Sequence, residues 1–352
     1  MSKSDIISIY DKSSKIALLE STFAARQKSQ MTGLVGSSLS FVAHSLFKKS
    51  ELPFLILFSN KEEAAYYLND LEQLINTEDV LFYPSSYRRP YQIEETDNAN
   101  VLLRAEVLNR INSRKKPAII VSYAEAIFEK VVTRKELEKN TLKLSVGDNL
   151  SIDFINETLF EYNFKRVDFV TEPGEFSVRG GIIDVFSFSN DNPYRIEFFG
   201  NEVDSIRSFD VETQLSVEKL KKISIIPNVE NKLLQENRES FLDYINEKTV
   251  LVIQNTELLG QQLDKLFDKA NEAFEKLSKD IQHAKPEELF LNQKQFLRRA
   301  LDFSVIELHT NAVFKTDKKV EFHIQPQPSF NKQFDLLLNN LSENHRSEEH
   351  TS

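Results

Sequence analysis

The sequence predicts an α/β protein in which a doubly wound parallel-sheet domain is interrupted by a small, mostly antiparallel α+β module. Two observations predict this fold class. Over about the first 125 residues, continuous apolar runs of strand length alternate with segments of helical period. Between residues 141 and 210 the apolar residues alternate with a period of two, and afterwards the first pattern returns. We therefore expect residues 1–125 and 214–352 to form one host domain, with residues 126–213 inserted into it.

The first part of the host domain contains alternating predicted helices and strands. The run FLILF at 54–58 is typical of a strand buried on both faces of a parallel sheet. The same criteria, applied in chain order, predict helices at 5–27, 38–48, 61–75 and 98–112 and strands at 54–58, 80–84 and 118–122, with a short helix after the last strand.

The inserted module is predicted from period-two runs bounded by Gly, Asn and Asp turns. The clearest runs are EFSVRGGIIDVFSF and YRIEFFGNEVDSIRSFD, and a helix is predicted beside them at 153–163. The elements expected to rejoin the host sheet are strands at 223–227, 249–253, 303–308 and 320–326 and helices at 231–246 and 256–280.

Composition and charge exclude several classes of function. The 352 residues include no cysteine, six scattered histidines and no apolar run of 18 residues. Disulfides, thiolate zinc sites and membrane spans are therefore excluded, and a reducing, cytoplasmic setting is favoured. The formal net charge of −10 argues against a broad phosphate-binding surface, so we expect at most weak DNA binding.

The stretch TGLVGSSLSF resembles part of a phosphate-binding loop. The motif G-x-x-x-x-G-K-[ST] uses its second glycine for close backbone approach and its lysine to reach the phosphates. Read from Gly33, this chain has Ser38 at the second glycine, Leu39 at the lysine and Ser40 at the last hydroxyl; Gly36 lies inside the loop. The loop is a nucleotide site, the remnant of one, or a plain strand–turn–helix connection.

The acidic magnesium ligand of a nucleotide site is also missing from the sequence. A working ATPase needs an acidic residue at the end of a buried strand to hold Mg²⁺. In TVLVIQNTEL that position is Gln254, followed by Asn255, and Glu257 comes three residues too late. Because a neutral amide is a poor magnesium ligand, we expect a degenerate P-loop NTPase-like domain that binds no cofactor.

With these motifs, the chain resembles the N-terminal, UvrB-like region of the bacterial transcription-repair coupling factor over roughly residues 25–340. In the related excinuclease subunit UvrB the two motifs read G-x-x-G-S-G-K-T and D-E-S-H, where this chain has GLVGSSLS and QNTE. The most specific resemblance is GEFSVRGGIIDVF followed by YRIEFFGNEVDSIRSFD, which matches the UvrB domain that docks on UvrA.

The length of one connection favours the coupling factor over UvrB. UvrB inserts a long aromatic β-hairpin, used to grip damaged DNA, after its third strand. Here only SSYRRPYQIEETDNAN, with Tyr87 and Tyr91, separates the predicted strand from the next helix. That segment is too short for the hairpin, so we expect no preference for damaged DNA.

The resemblance also implies a docking surface for UvrA. The positions carried over from UvrB are Arg166, Ser177, Arg179, Arg195, Glu197 and Phe198, with Ser177 standing where UvrB has an arginine. Strand alternation places Arg195 and Glu197 on one face and Phe198 on the other, so the role of Phe198 depends on the resemblance. The alternative is a solvated charged face, with Phe198 or Phe199 in the core.

The resemblance implies an interaction region that recruits UvrA in transcription-coupled repair, without ATPase or damage-recognition activity of its own. Family members carry an ATP-driven DNA translocase and an RNA-polymerase-binding domain further along their chain, and these would be its other partners. The alternatives are an ATP-dependent damage-binding enzyme resembling UvrB, or a structural paralogue that binds neither ATP nor UvrA.

Overall fold

The computed structural model describes residues 3–86, 98–113, 116–188, 190, 192–227, 237–277, 284–326 and 333–349. Its strands are β1 (Lys28–Thr32), β2 (Phe54–Phe58), β3 (Val80–Tyr83), β4 (Ile119–Tyr123), β5 (Val131–Val132), β6 (Leu142–Ser145), β7 (Lys165–Arg166), β8 (Glu175–Arg179), β9 (Ile182–Val185), β10 (Tyr194–Phe199), β11 (Glu202–Phe209), β12 (Ser216–Leu220), β13 (Lys222–Ile225), β14 (Arg238–Glu239), β15 (Val250–Ile253), β16 (Ser304–Glu307) and β17 (Lys318–Glu321).

Helices flank these strands through most of the described chain. They are α1 (Lys3–Lys12), α2 (Ser14–Glu20), α3 (Ser38–Ser50), α4 (Lys61–Leu74), α5 (Asn98–Ser113), α6 (Ala124–Phe128), α7 (Arg134–Lys139), α8 (Ile152–Glu161), α9 (Phe241–Tyr244), α10 (Thr256–Glu275), α11 (Pro286–Leu289), α12 (Gln293–Ala300) and α13 (Phe334–Glu349). Every helix in these ranges is too short or too polar to cross a lipid bilayer.

The predicted α/β fold class is confirmed by a seven-stranded parallel sheet with the order β17–β1–β16–β15–β2–β4–β3. All five residues of β2 are buried, as expected for the apolar run FLILF. Strand β15 lies between β16 and β2. The end of the chain therefore completes the sheet that the beginning of the chain starts.

The second sheet has six strands in the order β12–β11–β10–β9–β8–β7. Its pairs are antiparallel except for β7 and β8, which run parallel. Helix α8 packs against it, with the rings of Phe160 and Phe176 edge to face at 5.2 Å. This sheet is the predicted small, mostly antiparallel module.

Two predictions for the chain segment after the inserted module are wrong. The run ISIIP forms β13, which pairs with β6 in a separate two-stranded sheet. In place of the helix predicted at 231–246, the described residues form β14, paired with β5, and the short helix α9. An apolar run predicts a strand but cannot say which strand it pairs with. Arg238 and Glu239 pair with Val132 and Val131 as strand residues, so no helix continues through them.

Strand β1 is an addition to the predicted elements, because its polar sequence KSQMT does not stand out as a strand. The boundaries 126 and 213 stay predictions, although β12 ends at Leu220 and thus beyond 213. The segment of Tyr87 and Tyr91 lies outside the described residues, so the expected lack of a damage-gripping hairpin also stays a prediction.

Candidate functional site

The glycine loop joins β1 to α3 as a strand–turn–helix connection, and another chain segment lies against it. Gly33 and Gly36 have φ angles of +75° and +55°, in the left-handed region that favours glycine. Phe322, just after β17, donates its N–H to the Thr32 carbonyl at 2.8 Å, and Ile324 donates to the Gly33 carbonyl at 3.2 Å. The loop backbone is thus hydrogen-bonded to protein.

The three positions that would contact a nucleotide are turned into the protein. Leu39 is only 4% exposed and belongs to the hydrophobic core. The Ser38 hydroxyl accepts from the Val35 N–H at 2.8 Å, and the Ser40 hydroxyl donates to a carboxylate oxygen of Asp70 at 3.5 Å. These side chains stabilise the start of α3.

Gln254 connects the ends of two neighbouring strands. Its N–H donates to the Leu57 carbonyl at 3.0 Å, and its side-chain oxygen accepts from the Ser59 N–H at 3.4 Å. The next residue, Asn255, caps α10 by accepting from the Leu258 N–H at 2.9 Å. Both amide side chains therefore have structural partners at the position where an ATPase holds its metal.

Four of the six candidate docking residues lie on one face of the six-stranded sheet, which we call the outer face: Ser177, Arg179, Arg195 and Glu197. Cross-strand partners project to the same side of a sheet, and the register sets Ser177, Asp184, Arg195, Arg207 and Lys219 in one row. The opposite face carries Ile183, Ile196 and Ile206, which are buried in the core. The outer face is thus the polar side of this sheet.

Asp184 is the centre of the outer face. Its carboxylate is only 1% exposed, and it accepts from Arg195 at 2.7 Å (Nε to Oδ1) and 2.9 Å (Nη2 to Oδ2). Arg179 forms a second ion pair with Oδ2 of the same carboxylate. The hydrogen bond to Asp184 raises the pKa of Arg195. One buried carboxylate therefore holds two of the predicted docking arginines.

The guanidinium N–H donors of Arg195 are hydrogen-bonded within the module. Besides its bonds to Asp184, it donates to the backbone and side-chain oxygens of Gln214 at 3.4 and 3.3 Å, and its guanidinium lies 4.4 Å from the centre of the Phe209 ring. Only 17% of the side chain is exposed. Arg195 ties the turn between β11 and β12 to the sheet.

The side chain of Arg179 is more exposed than that of Arg195. Its side chain is 41% exposed, and its guanidinium lies 5.4 Å from the centre of the Phe169 ring. Phe169 itself is 63% exposed. Arg179 thus keeps part of its donor fork open to solvent, next to an exposed aromatic ring.

The remaining predicted residues are spread over the sheet. Arg166 is exposed on the edge strand β7. Glu197 accepts from the Ser205 hydroxyl at 2.7 Å and forms an ion pair with Arg207. Ser177 is buried and donates its hydroxyl to the Asp168 carbonyl at 3.0 Å. Ser177 is therefore covered by the loop that follows β7.

The two phenylalanines at the end of β10 have opposite environments. Phe198 pairs with the fully buried Val203 and packs against the core. Phe199 pairs with Glu202 and is 82% exposed. Alternation along the strand sets Phe199 on the side of Arg195 and Glu197. The structure therefore presents Phe199 to solvent where the resemblance implied Phe198.

Five residues of this surface are not among the sequence-predicted set: Phe169, Asp184, Phe199, Arg207 and Lys219. Asp184 is a lone carboxylate inside the apolar run GGIIDVF, which is a signal for a buried ion pair. Its arginine partners become evident only once the strand register is known.

Comparison with known proteins shows that the six-stranded sheet lies in a region similar to a described protein domain. The family model described as "UvrB interaction domain" matches residues 142–230. The chain is 31% identical over 255 residues to the transcription-repair-coupling factor of Bacillus subtilis, 30% over 204 residues to that of Rickettsia bellii, and 32% over 196 residues to that of Staphylococcus aureus strain RF122.

These matches cover 72%, 58% and 55% of the chain but only 21%, 18% and 16% of the relatives. The chain thus spans about a fifth of the length of the curated relatives it matches. The outer face, with Arg179, Asp184 and Arg195, lies wholly inside the matched residues 142–230.

Proposed function

We propose that this chain, a relative of the transcription-repair-coupling factors with a UvrB interaction domain at residues 142–230, recruits UvrA in transcription-coupled nucleotide excision repair in the bacterial cytoplasm. The observation that carries the proposal is the position of Arg179. It lies inside the matched domain and keeps an exposed guanidinium beside the exposed ring of Phe169.

The outer face has the chemistry of a binding anchor. Arginine and aromatic residues are enriched among the residues that carry most of the binding energy of protein interfaces. Arg179 offers a planar donor fork that can pair with a carboxylate, and Phe199 offers an exposed ring at the end of the same sheet. Lys219, exposed in the same row of the outer face, adds positive charge, whereas the chain as a whole carries −10.

The loop chemistry supports an interaction region without ATPase activity of its own. The lysine position is Leu39, packed in the core, and the magnesium position is Gln254, bonded to Ser59. A charge-assisted hydrogen bond contributes about 1.5–3 kcal/mol, so loss of the lysine alone weakens phosphate binding by one to two decades. An ATP-dependent enzyme resembling UvrB is therefore the weaker alternative.

The translocase activity and the contact with RNA polymerase that characterise the family are not assigned to the described domains. Since the chain spans about a fifth of its relatives, we assign the DNA translocase and the contact with RNA polymerase to other domains of the full-length chain. Those domains would be its covalent partners.

The test is a binding titration against immobilised UvrA, with the chain as analyte. We expect the unmodified chain to bind, Arg179→Ala to bind at least about tenfold more weakly, and Lys269→Ala to bind normally. Lys269 is a suitable control because it is exposed on α10, outside the matched domain. If the unmodified chain gave no binding signal, the proposed function would be wrong.

A further inference from the structure

We propose that Asp184 and Phe169 are positioning residues that hold Arg179 in the orientation in which it binds a carboxylate of the partner. This inference rests on the proposed docking function, and it assigns a role to two residues outside the predicted docking set. It also states the chemistry of the partner group that Arg179 binds.

The charges around Asp184 leave Arg179 available to a partner. A carboxylate that is only 1% exposed needs a compensating cation, and Arg195 supplies it through two hydrogen bonds of 2.7 and 2.9 Å. Arg179 is therefore the second cation on a carboxylate that is already neutralised. Its positive charge remains uncompensated at the surface, where it attracts an anionic group.

Arg179 is restrained from two directions. Oδ2 of Asp184 accepts a hydrogen bond from one terminal nitrogen of the guanidinium, and the Phe169 ring packs against it with its centre 5.4 Å from the guanidinium carbon. These two contacts remove rotational freedom from a long side chain before binding. A side chain that is already ordered loses less entropy when the partner docks.

The open part of the guanidinium defines the ligand. Arg179 is 41% exposed, so some of its five N–H donors remain accessible beside the Phe169 ring. A planar fork of N–H donors matches the two oxygens of a carboxylate. We therefore infer that an aspartate or glutamate side chain of UvrA binds here, through the open donors of Arg179.

The experiment measures UvrA affinity for Asp184→Asn and Phe169→Leu, each alone and combined with Arg179→Ala. We expect each single variant to weaken binding about two- to tenfold, which corresponds to the cost of ordering one long side chain. In the Arg179→Ala background neither change should weaken binding further, because both residues act through Arg179. Equal losses with and without Arg179 would overturn the proposal.

Matched controls separate positioning from general damage to the module. Asp204→Asn removes an exposed carboxylate of β11, and Phe154→Leu replaces an exposed aromatic ring of α8 by an aliphatic side chain. We expect both controls to bind like the unmodified chain. If Asp184→Asn lowers the melting temperature strongly, Phe169→Leu still tests the proposal, because an exposed ring is removed without disturbing the buried ion pair.

A second readout does not depend on UvrA. The ¹⁵N relaxation of the Arg179 Nε–Hε group in the free chain reports its mobility, and we expect that mobility to increase in Asp184→Asn and in Phe169→Leu. If the unmodified chain fails to bind UvrA, the proposed function is wrong, while this readout still decides whether Arg179 is restrained. Unchanged relaxation in both variants would overturn the positioning role.

Discussion

The backbone oxygen of Phe322 lies 1.6 Å from the point at which Gly33 would carry a Cβ. The first glycine of the loop is therefore explained by the neighbouring chain segment, since no larger residue fits against this backbone. A glycine that looks like part of a phosphate-binding loop is required here by packing within the protein.

We expect Gly33→Ala to destabilise the fold by about 3 kcal/mol. The substitution adds a clash with the Phe322 backbone to the strain of a φ angle of +75°. Gly36→Ala is the matched control: its φ is +55° but a Cβ would meet no atom within 4 Å, so strain alone should cost about 1 kcal/mol. Urea unfolding measures both, and equal losses for the two variants would contradict the packing explanation.

Much of the large sheet could be predicted from the sequence, because buried parallel strands such as β2 are continuous apolar runs. Strand β1 could not, since KSQMT is polar although its three middle residues are buried. The partner of β13 could not be predicted either, because pairing depends on tertiary contacts between distant segments.

The candidate docking surface was predictable only in part. Alternation places Phe198 and Arg195 on opposite faces, as the structure has them. The convergence of Arg179 and Arg195 on Asp184 depends on the register of three strands. The burial of Ser177 depends on the loop that crosses it through Asp168. Neither feature leaves a periodic trace in the sequence.

We expect the chain neither to bind Mg-ATP at physiological concentration nor to hydrolyse it. Introducing the motif lysine by Leu39→Lys should not restore binding, because position 39 is buried in the core and Gln254 is still no magnesium ligand. The substitution should instead destabilise the fold by about 3 kcal/mol. Isothermal titration checks the first statement, and a micromolar dissociation constant for the unmodified chain would contradict it.

Arg195→Ala and Arg179→Ala should differ sharply in stability. Arg195 compensates the buried Asp184 and holds the turn at Gln214, so its removal should cost about 2 kcal/mol or more. Arg179 is more exposed and its removal leaves the Arg195 pair intact, so the loss should be below about 1 kcal/mol. Thermal unfolding of the two variants checks this, and the reverse order would mean that Arg179 is the structural arginine.

DNA binding should be weak, salt-sensitive and indifferent to damage. The net charge of −10 disfavours a broad contact with phosphates. We expect a mobility-shift assay at about 150 mM salt, where charges more than about 8 Å apart are screened, to show the same weak binding for intact and lesion-bearing duplexes. Clear discrimination between the two duplexes would count against an interaction region without damage recognition.

The two neighbouring phenylalanines of β10 give a test of which ring docks. Phe199 is 82% exposed, so Phe199→Ala should leave the melting temperature unchanged while it weakens UvrA binding several-fold through the loss of an apolar contact. Phe198 packs against the core opposite the buried Val203, so Phe198→Ala should destabilise the module by about 2 kcal/mol. At a temperature where the module remains folded, Phe198→Ala should bind UvrA nearly normally, because its ring does not reach the outer face.

Both variants replace phenylalanine by alanine, at neighbouring positions of β10. They differ in the face of the sheet from which the ring is removed. If Phe198→Ala weakened binding without a loss of stability and Phe199→Ala did not, the docking surface would lie on the other face of β10.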